Sequence, residues 1–281
     1  MKYPPAFSRH LLRIAGRGLA LVALLYLGLL ALVYFGQERL LFYPTVLPAD
    51  HRFQLEDTRE VSIVRPGAVL SALHFRNPNP QGLVFFLHGN AGNLESWFTD
   101  LDFYRNANYD LFMIDYRGYG KSTGSIDSEA QLHADVRAAW GAIAPTYAGK
   151  RMVIYGRSLG SGLAAKLAAD VQPDLTILVS PYFSVETLGH EKFSWVPRFL
   201  SRYPLSNDQW LPQIRNKVIL VHGDRDELIP FEHSEHLKRL WPTAELLRID
   251  GAGHNDLHHF PAYLDALSSR LKALAMLASV K

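Results

Sequence analysis

The sequence predicts an α/β fold: a mostly parallel sheet wound on both faces by helices, behind one apolar N-terminal helix. Three observations carry this expectation. Short β-favouring runs recur along the chain, at Leu83–Leu87, Tyr109–Asp115, Met152–Tyr155, Leu175–Val179, Lys217–Val221 and Ala244–Ile249. Most are continuously apolar rather than alternating, as strands buried on both faces require. Helical stretches separate them, the arrangement that gives parallel sheets their crossovers. Polar, chemistry-bearing residues then cluster just after these runs, where open parallel sheets bind their ligands.

The apolar helix comes first in the chain. From Gly18 to Gly36 no residue is charged, and leucine dominates. That length is at the lower end of what crosses a bilayer. The run is long for a signal-peptide core and lacks a convincing small-x-small cleavage site, so an uncleaved anchor is expected. Lys2, Arg9, Arg13 and Arg17 precede it, which puts tail 1–17 in the cytoplasm and the remainder outside, in a periplasmic or extracellular space. Without those four cations, residues 37–281 hold 25 Lys+Arg against 27 Asp+Glu, a net charge of −2. The excess of positive charge therefore belongs to the anchor, and the globular part gives no reason to expect nucleic-acid binding. The 281 residues include no cysteine, which excludes disulfides, thiol catalysis and cysteine-held metals.

Gln37–Pro48 is apolar and proline-containing, suited to leaving a membrane and lying along the domain. Val61–Val64 and Ala68–Phe75 flank Arg65-Pro66-Gly67, a hairpin signal that brings the strand total to eight. After the strand at Leu83 comes His88-Gly89-Asn90-Ala91-Gly92-Asn93, then an expected helix over Glu95–Tyr104. A longer helix is expected over about Asp127–Ala144, and others over Leu163–Ala169, Glu232–Leu240 and Pro261–Leu277. No internal repeat, low-complexity tract or second globular domain is visible.

Chemistry centres on Arg151–Gly162. The strand Met152–Tyr155 runs directly into Gly156-Arg157-Ser158-Leu159-Gly160, and an Ala/Leu-rich helix follows. Strand, G-x-S-x-G, helix is a nucleophile elbow, in which a sharp reversal holds the serine exposed and leaves room only for glycine two positions either side. The helix start also turns free N–H groups and a positive dipole end toward the hydroxyl. A second match, Gly120-Lys121-Ser122-Thr123-Gly124, fails on context, because its strand ends well before Ser122. Asp226 and His254 follow in the order serine, acid, histidine. A neutral imidazole can take the hydroxyl proton near pH 7, and a carboxylate fixes its tautomer.

With these residues in view, the chain resembles the α/β-hydrolases. Within them it is similar to small membrane-anchored serine hydrolases grouped with the bud-emergence suppressor protein and the depalmitoylating hydrolases. Phe42-Tyr43-Pro44, His88–Asn93, Asp115–Ser122, Gly156–Gly160, His222-Gly223-Asp224-Arg225-Asp226 and Gly253-His254 carry the resemblance. It implies an α/β-hydrolase fold, with Ser158 as nucleophile, His254 as base and Asp226 as acid. Asp226 stands three positions past the glycine and precedes Leu228-Ile229-Pro230, while Asp224 is the runner-up. The resemblance also implies an oxyanion hole from the backbone N–H groups of Asn90 and Leu159, and no cofactor.

The insert at residues 182–210 lies where this fold usually carries a cap. Its large apolar groups, Phe193, Trp195 and Phe199 among them, are read either as ordinary packing or as a lid lining an acyl pocket beside Ser158 or resting on lipid. Two decoys fall away. Gly120-Lys121-Ser122 lacks the first glycine of a phosphate-binding loop, where Asp115 stands. His254 and His258 have metal-ligand spacing, but Asn255 replaces the glutamate of a zinc protease, so no metal is expected. The expected activity is hydrolysis of acyl esters or thioesters, on a small-molecule or lipid acyl substrate. An amidase or aminopeptidase, or a catalytically silent scaffold for protein binding, is the alternative.

Overall fold

The computed structural model describes residues 6–276. Lys2 of the expected tail and Leu277 of the expected closing helix lie outside the described residues. The chain opens with α1 (Ala6–Phe35) and α2 (Gln37–Leu41), then pairs β1 (Tyr43–Pro44) in parallel with β5 (Ala91–Gly92). The remaining strands are β2 (Thr58–Arg65), β3 (Ala68–Phe75), β4 (Gly82–Leu87), β6 (Tyr109–Ile114), β7 (Arg151–Arg157), β8 (Leu175–Val179), β9 (Lys217–Gly223) and β10 (Glu245–Ile249). They form one eight-stranded sheet in the order β10-β9-β8-β7-β4-β6-β3-β2. Only the β2–β3 and β3–β6 pairings are antiparallel. This is the α/β-hydrolase fold that the sequence predicts.

Continuous apolar runs make sense because both faces of the sheet are covered. Phe85, Phe112, Ile154, Leu178 and Leu220 face one core, while Val84, Phe86, Val153, Ile177 and Ile219 face the other. Alternate residues of each strand thus enter opposite cores, each large side chain contributing about 1.5–3 kcal/mol by burial. The first core is closed by α5 (Glu129–Ile143), α6 (Leu159–Val171) and α9 (Glu232–Leu240), and α10 (Pro261–Met276) covers the second. Edge strand β2 carries the exposed Arg59 and Glu60, which discourages further strand pairing.

One expectation is corrected. Glu95–Tyr104 is not one helix but two, α3 (Leu94–Trp97) and α4 (Leu101–Ala107), separated by Asp100 in the left-handed region at φ +55°. The first is capped by Asn93, whose side chain accepts from the Glu95 N–H at 2.9 Å. The Asp115 carboxylate also accepts from the Leu94 N–H at 2.9 Å. The second packs on β6 and α10. The two segments answer to different tertiary partners, and the chain bends where they part.

The insert forms α7 (Val185–Lys192), a single turn at Arg198–Leu200 and α8 (Asn207–Trp210). Helix α1 stands outside the domain: over His10–Phe35 it is apolar and long enough to cross a membrane, with none of its most apolar stretch buried against the rest of the chain.

Candidate active site

Strand β7 delivers Ser158 to the carboxyl end of the sheet, at the turn into α6. Its backbone sits at φ +53°, ψ −122°, a conformation that costs a non-glycine residue of order 1–3 kcal/mol and persists only when its surroundings enforce it. The enforcement is visible at Gly160, where a Cβ would lie 2.1 Å from the Leu87 carbonyl oxygen and 2.6 Å from that of His88. The end of β4 is therefore pressed against the first turn of α6. Gly89 follows, where a Cβ would press on the Trp97 ring at 2.9 Å and lie in ordinary contact with that of Ser158 at 3.7 Å.

Ser158, His254 and Asp226 form one hydrogen-bonded chain. The Ser158 Oγ lies 3.0 Å from His254 Nε2, and His254 Nδ1 lies 2.6 Å from Asp226 Oδ2. A carboxylate only accepts, so Nδ1 carries the proton and Nε2 is left to accept from the serine hydroxyl. Asp226 Oδ1 accepts from the backbone N–H groups of Leu228 and Ile229, at 3.0 and 2.8 Å. Burial alone would push the Asp226 carboxyl upward. Hydrogen bonds from His222, His254 and the Ile229 amide, with the positive charge that His254 carries once protonated, outweigh it and hold the group well below the usual carboxylate range.

Asp224 is engaged elsewhere, accepting from the Gly251 N–H at 2.6 Å and from Arg248 at 2.7 Å. The Ser122 hydroxyl is also committed. It accepts from the Ser71 N–H and donates to the Asp115 carbonyl, each at 2.8 Å. The Asn90 and Leu159 backbone N–H groups have no acceptor among the described residues, leaving both able to bind an oxyanion. The Asn90 carbonyl is fixed by donors from the Tyr43 N–H (2.8 Å) and the Tyr119 hydroxyl (2.6 Å). The β1–β5 pairing thus ties the segment after the apolar helix to this loop.

Four residues without an individual role in the sequence reading support this arrangement. Arg157 donates to the His254 carbonyl at 2.9 Å and lies over the Trp97 ring, clamping the histidine loop. His222 presents Nε2 to both the Ile229 carbonyl (2.9 Å) and Asp226 Oδ2 (3.3 Å), while Nδ1 accepts from Ser234 at 2.6 Å. Asp115 and His88 are buried together, His88 Nε2 3.7 Å from Asp115 Oδ1. Burial lowers His88 to about 4 and raises Asp115 to about 7, the latter partly offset by the Leu94 N–H. His222 and His88 share a local signal, a His-Gly pair at the end of a strand, and Asp115 and Arg157 lie inside quoted motifs, but no motif states what any of the four touches. Those partners come from contacts between separate segments.

The apolar insert residues do not stand where a lid over Ser158 would put them. Phe193 lines a cavity of about 180 Å³ with Val33, Leu40, Val196 and Leu200, at the foot of α1, and Ser158 and His254 are not in its wall. A larger cavity, about 480 Å³, includes Arg157, Trp97, Tyr155, Asn255, His258 and Asp100 in its walls. Arg157 adjoins Ser158 and Asn255 adjoins His254, so this cavity flanks the hydrogen-bonded chain. The insert is held instead just past the end of the apolar helix, where Gln37 of α2 bonds its backbone twice, to Leu200 O and Arg202 N, each at 2.8 Å.

An α/β sheet with a strained serine after its central strand, hydrogen-bonded to a histidine, defines a class, that of the α/β hydrolases. Comparison with known proteins agrees. Residues 78–207 match the family described as serine aminopeptidase S33, and residues 196–261 match the α/β hydrolase fold family. The α/β hydrolase domain-containing protein 17B of Homo sapiens is 34% identical over 197 residues, 68% of this chain and 66% of that protein, slightly under two thirds of its length. Protein 17C of Xenopus tropicalis is 32% identical over 230 residues, 78% of this chain and 72% of that one. An esterase of Pyrococcus furiosus has the same fold, at TM-score 0.65 and 20% identity over 83% of this chain and 96% of its own. The chain belongs to the α/β-hydrolase superfamily, among the relatives of α/β hydrolase domain-containing protein 17.

Proposed function

We propose that the protein is a membrane-anchored serine hydrolase that cleaves acyl esters or thioesters through an acyl-enzyme. The observation that carries this reading is the unbroken path from the Ser158 hydroxyl through His254 to the ionised Asp226. In acylation, Ser158 Oγ bonds to the substrate carbonyl carbon while His254 Nε2 takes the hydroxyl proton. The carbonyl oxygen becomes an oxyanion beside the Asn90 and Leu159 N–H groups. Collapse breaks the bond to the leaving alcohol or thiol, which receives the proton from His254. Water repeats the sequence on the acyl-enzyme and releases the carboxylic acid and free Ser158.

In this reading residues 1–17 form a cytoplasmic tail, 18–36 the anchor and 37–281 the hydrolase domain on the outer side. The exposed apolar surface of α1 supports the anchor. A second reading has its own support. The family description names an aminopeptidase, and Asp100 in the wall of the larger cavity could receive an α-ammonium group. A panel of p-nitrophenyl esters, acyl thioesters and aminoacyl amides separates the two. Ester or thioester turnover well above amide turnover is expected. Faster cleavage of the aminoacyl amides would assign the enzyme to the peptidases.

A further inference from the structure

We propose that the insert loop at residues 193–200 is itself immersed in the membrane, in the leaflet on the domain side, where lipid acyl chains cover it and fill the groove it forms with α1. This rests on the reading of α1 as an anchor, and the geometry then fixes the depth. Arg13 and Arg17 resist burial in hydrocarbon, at about 2.5–3.5 kcal/mol each near the centre of a span. The span therefore starts after Arg17 and needs the whole of Gly18–Gly36 to cross a core of about 30 Å. At about 1.5 Å per residue, Tyr26 lies roughly 15 Å below Gly36 along the axis. A tilt of about 20–40° still leaves it about 11–14 Å deep.

The Tyr26 hydroxyl donates to the Trp195 carbonyl at 2.8 Å. The insert thus reaches as far down the helix as Tyr26. Within α1 it does so along one stripe: over residues 10–35 the partly covered positions are Leu30 and Val33, and with Tyr26 they follow the i, i+4, i+7 spacing of a single helix face. The order of contacts along that stripe matches a membrane boundary. At its top, Arg202 pairs with Glu38 at 2.6 Å and lies over the Tyr34 ring, while Tyr203 donates to Glu38 at 2.7 Å. Lower down, the polar contact is the Tyr26 hydroxyl on the Trp195 carbonyl, and the groove is lined mainly by apolar groups, Val33, Phe193 and Val196 among them, together with Glu186, His190 and Arg198.

The outer surface of the loop fits the same environment. Phe199 is 85% exposed, Phe193 54% and Trp195 43%, and the run Phe193-Ser194-Trp195-Val196-Pro197-Arg198-Phe199-Leu200 contains no acidic residue. In water these groups would form an uncovered apolar patch continuous with α1. In a leaflet they are solvated by acyl chains, while Lys192 and Arg198, both exposed, have stems long enough to carry their charges toward the headgroups. The groove between loop and helix then opens into hydrocarbon. Leu41 lines it, and the Leu41 carbonyl accepts from the Asn90 side chain at 3.1 Å, so it borders the loop beside Ser158.

The absence of cysteine makes the test clean. Ser194→Cys, Phe199→Cys, Val22→Cys and Glu235→Cys each give a full-length chain with one nitrobenzoxadiazole label in phosphatidylcholine vesicles. Labels at 194 and 199 are expected to emit at the blue-shifted wavelength seen at 22, and to be quenched by doxyl groups on lipid acyl chains. The label at 235, on the solvent-facing side of α9, should be reduced by aqueous dithionite instead. If 194 and 199 behave like 235 while 22 is lipid-quenched, the anchor stands and the immersed loop is wrong. If 22 also reports water, both readings fail. Native Trp195 supplies a label-free check: brominated lipids should quench more emission in wild type than in Trp195→Phe, and equal quenching would overturn the proposal.

Discussion

Replacing Asp226 by asparagine tests the hydrogen-bonded chain where its logic is tightest. Asp226 Oδ1 is held by two backbone donors, the Leu228 and Ile229 amides. An asparagine must therefore keep its carbonyl oxygen there and turn its NH₂ toward His254 Nδ1. That nitrogen then has to accept, the proton moves to Nε2, and Nε2 can no longer take a proton from Ser158. The same NH₂ would face the His222 Nε2–H, donor against donor. A triad imidazole locked in the wrong tautomer loses about 10⁴-fold in rate, about 5.4 kcal/mol of transition-state stabilisation. The assay is kcat/KM on a p-nitrophenyl ester near pH 8, with Asp224→Asn alongside. Asp224 meets the backbone of Gly251 and the side chain of Arg248, not the histidine, so its variant should stay within a few-fold of wild type. A loss under tenfold for Asp226→Asn, or a larger loss for Asp224→Asn, would refute the reasoning.

His222→Leu removes one donor to Asp226, a bond to a charged group worth about 1.5–3 kcal/mol. We expect kcat on the same ester to fall ~10- to 100-fold with KM unchanged, and an unchanged kcat would reduce His222 to packing. Gly160→Ala puts a Cβ against the Leu87 carbonyl, so urea unfolding in detergent should show a loss of about 3 kcal/mol or more; wild-type stability would mean that β4 and α6 do not approach so closely. Asp115, raised to about 7, binds a proton in the folded state that the unfolded chain releases near 4, so it draws stability down as pH rises from 4 to 7. His88, lowered to about 4, acts in the opposite sense between 4 and 6.5. Asp115→Asn should therefore gain in urea midpoint relative to wild type across that window, and parallel profiles would show that Asp115 does not titrate there.

Much of the architecture is legible because local and global signals agree. A buried parallel strand must be apolar on both faces, so Leu83–Leu87 and Leu175–Val179 announce themselves, and only glycine fits beside the serine of an elbow. What the sequence hides are the choices made between distant segments. Whether Asp224 or Asp226 meets His254 depends on how the loop after β9 turns, and the Leu228 and Ile229 amides that orient Asp226 belong to that turn. The break at Asp100 follows from Asp115 holding one end of the helical stretch and the sheet holding the other. Phe193, Trp195 and Phe199 reveal an apolar surface but not what it faces, since composition carries no direction. The larger cavity beside Arg157 draws its aromatic wall from separate elements, Phe86 from β4, Trp97 from α3, Phe103 and Tyr104 from α4, Tyr155 from β7 and Tyr263 from α10.

The central claim is that Ser158 is the nucleophile, and mass spectrometry of a covalent adduct tests it most directly. Treated with a fluorophosphonate, the wild-type protein should gain one phosphonyl group, located by peptide mapping on Ser158. Ser122→Ala should gain the same group at the same rate, and Ser158→Ala none, although it folds as wild type does. A Ser158→Ala protein that is still labelled, or an adduct mapped to another serine, would contradict the account.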